Sequence, residues 1–139
     1  MTDAIDPLAA SMRMAQRAID NQSTRMRVVS ENLANAHSTG TRAGEEGYRR
    51  KTVSFALVAA EPAPGPRARI GTDPSELPLR HDPDHPAADA RGMVRMPNVE
   101  PLVEMADMRE ASRLFEANVQ VVTQTRDLIN TTIDLLRSR

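Results

Sequence analysis

Apolar residues near the amino terminus recur at alternating intervals of three and four positions. The series consists of Leu8, Met12, Ala15, Ile19, Met26, Val29 and Leu33. Only Gln22 interrupts it, and such a heptad stripe predicts a long helix that packs lengthwise on another helix. Asp6 is a candidate cap, Pro7 suits the first helical position, and the turn-forming sequence from Asn35 to Gly40 predicts the end. We therefore predict a helix over residues 7–35, about 43 Å long.

A second helical pattern occupies the carboxy-terminal third and is apolar over a wider arc. We predict that it begins after Pro97, with Asn98 as its cap and Pro101 in its first turn, and that it ends near Arg137. One of its apolar rows consists of Leu114, Val121, Leu128 and Leu135, and the row beside it of Phe115, Val119, Val122, Ile129, Ile133 and Leu136. Together the rows cover about 200° of the helix surface, which is more than one neighbouring helix covers.

The unequal widths of these two apolar surfaces predict how the chain packs. We expect a mainly α fold whose long terminal helices pair as an antiparallel coiled coil around a small irregular, β-containing middle segment. The part of the second helix that the first leaves uncovered is expected to be buried against other subunits. The residues expected in helix packing and assembly are Leu8, Met12, Ile19, Met26, Val29, Leu114, Val121, Val122, Leu128, Ile129 and Leu135.

Glycines and prolines break any long helix in the middle of the chain. Val53, Phe55 and Leu57 alternate with small residues, which predicts a strand, and residues 67–70 are its candidate partner. Residues 92–96 predict a further strand, and the proline cluster within residues 62–66 suggests a stiff connector. The expected division is an amino-terminal helix over 1–36, a middle segment over 37–97 and a carboxy-terminal helix over 98–139.

Composition excludes several classes of function. The 139 residues fit one compact domain or two small ones, and the net charge of −1 is spread along the chain, which disfavours nucleic acid as a partner. With no cysteine, disulfides and thiolate chemistry are excluded. No apolar stretch is long enough to cross a bilayer, and the first residues lack the pattern of a cleaved secretory signal.

Three groups of polar residues invite more specific interpretations. His81-Asp82-Pro83-Asp84-His85 has potential metal ligands, but no distant third histidine with a carboxylate partner accompanies it, so we favour a solvated turn and expect no metal. No serine lies in a recognisable hydrolase context, so we expect no catalytic residues and no cofactor. The basic group Arg42, Arg49, Arg50 and Lys51 could contact anionic lipid or peptidoglycan, but we favour a solvated face or ion pairs between subunits.

Three motifs, each made of one or more segments, carry a resemblance to a known family. The segment Ser30 to Gly40, followed by Tyr48-Arg49, resembles the amino-terminal motif of flagellar rod and hook proteins. The segment Arg113 to Val119 is similar to that family's second shared motif on its final helix. Asp82 to Ala90, Gly92 to Val94 and Met96 to Val99, together with the short chain, resemble the proximal-rod branch. The motif residues are Asn32, Leu33, Ala34, Asn35, Thr39, Gly40, Tyr48, Pro97, Asn98, Val99, Phe115, Glu116, Ala117 and Asn118.

The resemblance implies a structural, self-assembling subunit of the flagellar basal-body rod, not an enzyme. It implies export without a cleaved signal peptide through the flagellar type III apparatus, and a place in the periplasmic drive shaft that transmits torque. The implied partners are copies of the chain and the rod proteins FlgB, FlgF, FlgG and FliE. Heptads alone would equally suit a small cytoplasmic coiled-coil adaptor or regulator, which is the alternative hypothesis.

Overall fold

A computed structural model describes residues 5–58 and 65–137, with side chains from Pro7 onward. In chain order its elements are α1 (Ile5–Ala34), β1 (Lys51–Val58), β2 (Gly65–Thr72), β3 (Leu79–His81), β4 (Met93–Arg95) and α2 (Pro101–Arg137). The two long helices and the small β-containing middle segment agree with the predicted fold class.

The first helix begins and ends close to the predicted residues. After its last turn, the Asn35 backbone N–H donates to the Glu31 carbonyl at 3.1 Å, and the Asn35 side chain donates to the same oxygen at 2.9 Å. Ser38 Oγ donates to Asn35 Oδ1 at 3.0 Å, which holds the chain in a turn instead of a further helical turn. The predicted cap at Asp6 lies outside the residues whose side chains are described.

The predicted cap of the second helix is wrong. Helix α2 begins at Pro101, whose fixed φ and missing N–H suit the first helical position. Asn98 lies before the helix, where its Oδ1 accepts the Arg50 backbone N–H at 2.7 Å and its Nδ2 donates to Ser75 Oγ at 2.9 Å. Its side chain therefore joins two segments of the middle region and does not cap the helix.

The two helices pack against each other along much of their length. Asn32 near the end of α1 contacts Glu104 near the start of α2, and Met26 Sδ accepts a hydrogen bond from Ser112 Oγ further along. Ile19 shares a cavity with Val122 further still, so the order of contacts is opposite in the two helices. The buried apolar side chains on these helices are Ala15, Val28, Val29, Ala111 and Val122.

The middle segment forms two separate two-stranded sheets. Strands β1 and β2 pair antiparallel, with Phe55 opposite Ala68, as the alternation predicts. Asn21 of α1 donates to the Pro66 carbonyl and accepts from the Ala68 N–H, each at 3.0 Å, which satisfies two backbone groups of β2 and ties the hairpin to α1. The proposed stiff connector over 62–66 lies mostly outside the described residues.

The second sheet joins β3 to β4, with Arg80 opposite Val94. Strand β4 falls in the predicted segment, whereas β3 was not predicted. Gly92 has a φ of 72° and an added Cβ would lie 3.0 Å from Pro83 Cγ, so the turn before β4 requires glycine. Neither described helix is apolar enough over its length to cross a membrane.

Candidate assembly interface and its polar junction

Asn32 occupies the last turn of α1 and uses both ends of its amide. Its Nδ2 donates to the Lys51 carbonyl at 2.8 Å and to Glu104 Oε2 at 3.0 Å. Its Oδ1 accepts from the Lys51 N–H at 2.9 Å and from the Tyr48 hydroxyl at 3.0 Å. The side chain is buried and its two donors and two acceptor positions are all occupied. Asn32 therefore joins the end of α1 to the start of β1 and to α2.

Glu104 lies in the first turn of α2 and is fully buried. Arg50 Nε donates to its Oε1 at 2.5 Å, while Asn32 donates to its other oxygen. A buried carboxylate is tolerated when it is paired and hydrogen-bonded in this way. The positive end of the α2 dipole adds to the stabilisation. We refer to Asn32, Tyr48, Arg50, Lys51 and Glu104 as the polar junction.

Further charges surround the junction and hold the two helices together. Arg25 on α1 contacts Asp107 at 3.1 Å and Glu110 at 2.9 Å on α2. The Arg50 guanidinium also lies 3.8 Å from Asp73 and 3.9 Å from Asp107. These ion pairs join α1, the start of β1, the loop after β2 and α2, so the junction connects the helices to the middle segment.

The basic group that we expected on a solvated face or between subunits is largely paired within the chain. Arg49 binds Glu46 at 3.2 Å, Arg50 binds Glu104, and Lys51 binds Glu31. The hydrogen bond to Glu31 raises the pKa of Lys51, and burial, followed by the Glu31 charge, raises the pKa of Tyr48. Three of the four cations thus form ion pairs within the chain. The expectation of a solvated face or of ion pairs between subunits is therefore wrong for these three, and binding of the group to anionic lipid is also less well supported.

The structure brings the amino-terminal and middle motifs together but leaves the third apart. Tyr48 and Asn32 meet in the junction, Asn98 binds the backbone beside it, and Thr39 Oγ1 lies 3.2 Å from His85 Nε2. An added Cβ on Gly40 would lie 2.6 Å from Glu45 Cβ, so the chain passes too closely there for a side chain. Of the remaining motif residues in these two segments, Pro97 is buried, Leu33, Asn35 and Val99 are half-buried, and Ala34 is exposed.

The motif on the final helix lies a few turns beyond the junction. Phe115 and Asn118 are half-buried, whereas Glu116 and Ala117 are exposed. Asn118 Nδ2 donates to the Leu114 carbonyl at 2.7 Å, within the same helix. This motif therefore has surface on its outer side that the described part of the chain does not cover.

Sequence reasoning missed the two charged members of the junction, Arg50 and Glu104, as functional residues. A glutamate in the first helical turn usually lies at the surface and interacts with the helix dipole, so its type and position do not mark it as buried. The only available signal was the position of Arg50, two residues after the motif tyrosine and just before a strand. That signal does not identify its partner.

Much of the apolar surface of α2 is exposed. Val122 and Ala111 face α1 and are buried, while the neighbouring Val121 is 40% exposed and Leu128 is 56% exposed. Of the residues expected in packing, Val29 is buried, Leu8, Met12, Ile19, Met26 and Ile129 are half-buried, and Leu114 and Leu135 are exposed. A row of exposed apolar side chains along a helix is typical of a surface that contacts another molecule. We refer to the exposed row Leu114, Val121, Leu128 and Leu135 as the outer row.

The His/Asp turn has a structural role in the described part of the chain. His85 Nδ1 accepts the Ala87 N–H at 3.0 Å while its Nε2 faces Thr39, so both ring nitrogens are engaged. Asp89 accepts the backbone N–H groups of Met93 and Arg91, which lowers the pKa of Asp89. Within residues 5–58 and 65–137, no three His, Cys, Asp or Glu side chains cluster as a metal site would require.

Two long paired helices with an exposed apolar row are typical of a protein that associates with other subunits. A comparison with protein families agrees, because the family described as "Flagellar basal body rod FlgEFG protein C-terminal" matches residues 90–135. The chain is 50% identical to the flagellar basal-body rod protein FlgC of Agrobacterium fabrum, covering 96% of this chain and 99% of that protein. It is 42% identical to FlgC of Yersinia enterocolitica, and the match covers 88% of this chain and 92% of that protein. It is 34% identical to FlgC of Bacillus subtilis, and the match covers 90% of this chain and 95% of that protein.

The chain belongs to the FlgC family of flagellar basal-body rod proteins. It is a structural subunit of the flagellar basal body that assembles with other rod components, and it is not an enzyme. The alternative of a cytoplasmic adaptor is not favoured.

Proposed function

We propose that this chain is a subunit of the proximal rod, in the periplasmic part of the drive shaft that transmits torque. The exposed outer row of α2 carries this proposal, because apolar side chains along a long helix are stabilised when neighbouring subunits cover them. Torque would pass through many packed side chains and would need no reactive group. Export through the type III apparatus without a cleaved signal, and contacts with FlgB, FlgF, FlgG, FliE and other copies, belong to the same proposal.

The three predicted parts have different roles in this proposal. The amino-terminal helix over 1–36 and the carboxy-terminal helix over 98–139 pair as an antiparallel coiled coil and face the inner tube of the rod. The middle segment over 37–97 lies outside them and sets the spacing between subunits. The opposite order of the contacts between α1 and α2 supports this arrangement.

The family-motif residues have two roles in the proposal. Asn32 and Tyr48 hold the middle segment at a fixed angle to the helix pair through the polar junction, and Asn98 supports them from the adjoining loop. The segment from Phe115 to Asn118 lies beside Leu114 of the outer row and takes part in contacts between subunits. The first role is intramolecular, whereas the second needs a neighbour.

Replacement of one outer-row leucine tests the proposal. In flagellated cells whose native copy is replaced, Leu128→Asp should prevent incorporation into purified hook–basal bodies and abolish swimming, because a charge cannot be buried unpaired between subunits. Gln120→Asp, on an exposed position of the same helix outside the outer row, is the matched control and should leave swimming intact. Circular dichroism of both purified variants checks that the helices still form.

Two results would contradict the proposal. One is a wild-type chain that is absent from hook–basal bodies and forms a defined oligomer in the cytoplasmic fraction. The other is normal incorporation and swimming of the Leu128→Asp variant, which would show that the outer row is not buried in the rod.

A further inference from the structure

A groove runs between α1 and the β1–β2 hairpin. Its cavity has a volume of about 430 Å³, and its walls include Met14, Ala18, Gln22, Phe55 and Pro66. Met14 is 71% exposed and Phe55 is 45% exposed, although both carry large apolar side chains. None of its walls comes from α2 in the described part of the chain. We refer to this site as the hairpin groove.

One buried polar atom in the groove wall has no partner. Gln22 Oε1 is buried and accepts no hydrogen bond from any described residue. An unsatisfied buried acceptor is costly, and native proteins usually satisfy such atoms. Because this oxygen is already enclosed by the chain, it does not by itself identify an occupant of the groove.

The surroundings of the groove are basic. Arg13 on α1 and Arg67 and Arg69 on β2 are exposed, and none of them forms an ion pair with another described residue. Arg17 also lines the groove, and Asp20 is an acidic neighbour in the adjoining pocket beside Arg67. The predominance of positive charge favours an occupant that carries acidic residues beside an apolar row.

The distal part of α2 has the complementary chemistry. Leu128 of the outer row lies four residues after Gln124, so both side chains lie on the same side of the helix. Asp127 and Asp134 are exposed and form no ion pair within the part of the chain that the structure describes. This segment thus offers an apolar side chain for the groove and two carboxylates for the arginines, and Arg126 is its one basic residue.

We propose that the hairpin groove binds the distal segment of α2, residues 121–134, from a second copy of the chain. The contact joins two different surfaces, so it is heterologous and extends from copy to copy in a ring or helical array. It rests on the proposed function, because it supplies one of the contacts between copies in the rod. Leu128 enters the groove beside Met14, and Asp127 and Asp134 lie against the arginines of β2.

Cysteine cross-linking in assembled basal bodies tests the contact, since the native chain has no cysteine. A chain carrying both Met14→Cys and Leu128→Cys should form disulfide-linked multimers on mild oxidation. Each single variant should give no ladder of multimers. The pair Met14→Cys with Arg109→Cys is the matched control, because Arg109 is exposed on α2 outside residues 121–134 and outside the motif on the final helix.

A charge exchange tests the same contact without cysteine. Arg67→Asp or Asp127→Arg alone should reduce the amount of chain in hook–basal bodies by about tenfold. The two changes together in one chain should restore it, because every copy carries both surfaces. Circular dichroism of the purified single variants should match the wild type, which separates lost assembly from lost folding.

The outcomes separate this inference from the proposed function. If the double-cysteine chain enters basal bodies without cross-linking and the charge exchange restores nothing, the contact is wrong while the rod function stands. If the wild-type chain is absent from basal bodies, the proposed function fails and the contact fails with it.

Discussion

The two ends of the helix pair differ in how many of their polar and apolar side chains have partners within the chain. At the polar junction, a buried carboxylate, an amide and a guanidinium have partners within the chain. Along distal α2, by contrast, leucine and valine side chains remain exposed, and exposed aspartates have no ion-pair partner among the described residues. The junction end is thus stabilised by folding, and we expect the distal end to gain stability on assembly.

The difference separates the residues that hold the fold together from those left for contacts with other rod components. A junction that is satisfied internally holds the middle segment to the helices through contacts within the chain. An open distal helix keeps apolar area available, so its burial contributes directly to association. Changes at the junction should therefore alter folding, and changes in the outer row should alter assembly.

Removal of the buried carboxylate should produce the largest loss of folding stability. Glu104→Ala leaves Arg50 without its closest buried partner and leaves the Asn32 amide with one acceptor fewer. Breaking a buried pair in this way costs about 3–5 kcal/mol of the free energy of unfolding. Urea denaturation followed by helical circular dichroism measures the loss.

An exposed glutamate on the same helix provides the control for that prediction. Glu116→Ala should change the free energy of unfolding by less than about 0.5 kcal/mol. A loss of under about 1 kcal/mol for Glu104→Ala would mean that the junction behaves like a surface ion pair and does not anchor the fold.

Two adjacent valines on α2 separate folding from assembly. Val122 is 9% exposed and Val121 is 40% exposed. Val122→Ala should lower the free energy of unfolding by about 1–3 kcal/mol, because it leaves a cavity against α1. Val121→Ala should cost less than about 0.5 kcal/mol but should weaken incorporation into basal bodies. Equal losses of folding stability in the two variants would contradict the division between inner and outer faces.

The sequence predicted the regular elements better than the contacts between them. Apolar periodicity placed both helices, and the alternation around Phe55 placed β1, because burial on one face leaves a pattern in the residues themselves. Strand β3 was missed because it has three residues, two of which, Arg80 and His81, are polar. Strands this short carry too little alternation to be recognised.

The polar junction was harder to predict because it depends on partners distant in sequence. Glu104 is 72 residues from Asn32 and 54 from Arg50, and neither spacing follows a local rule. Asn98 has the residue type of a helix cap, but tertiary hydrogen bonds to the Arg50 backbone and to Ser75 took its side chain. The residue type of Asn98 thus indicated that its side chain can form hydrogen bonds. Which groups it bonds to depends on the fold.

The tyrosine at the edge of the junction should contribute less than the buried carboxylate. Tyr48→Phe removes one hydrogen bond to Asn32 Oδ1, which still accepts from the Lys51 N–H. The expected loss is about 0.5–1.5 kcal/mol of the free energy of unfolding, the usual contribution of one such bond. Urea denaturation of the two chains measures it. A loss as large as that of Glu104→Ala would instead show that the phenol holds the whole junction together.

The free energy of unfolding at alkaline pH should also depend on the Tyr48 phenol, but with a smaller effect. Burial and the Glu31 charge raise the pKa of Tyr48 above its usual value near 10. Because the folded chain binds this proton more tightly than the unfolded chain, its contribution is complete below the unfolded pKa. The contribution is lost as the pH rises through the folded pKa. Lys51, whose pKa is also raised, loses its contribution in the same direction.

Two measurements separate the phenol from the lysine. Tyr48 is the only tyrosine and the chain has no tryptophan, so its phenolate absorbance titrates one known group. That titration should shift to lower pH when the chain is unfolded in urea. The alkaline loss of stability should also be smaller in Tyr48→Phe than in the wild type, with the remainder due to groups such as Lys51. Identical titrations in the folded and unfolded chains would show that Tyr48 is open to water at the edge of the junction. The junction end would then be less fully buried than the contacts of Asn32 imply, and so more like the exposed distal end of α2.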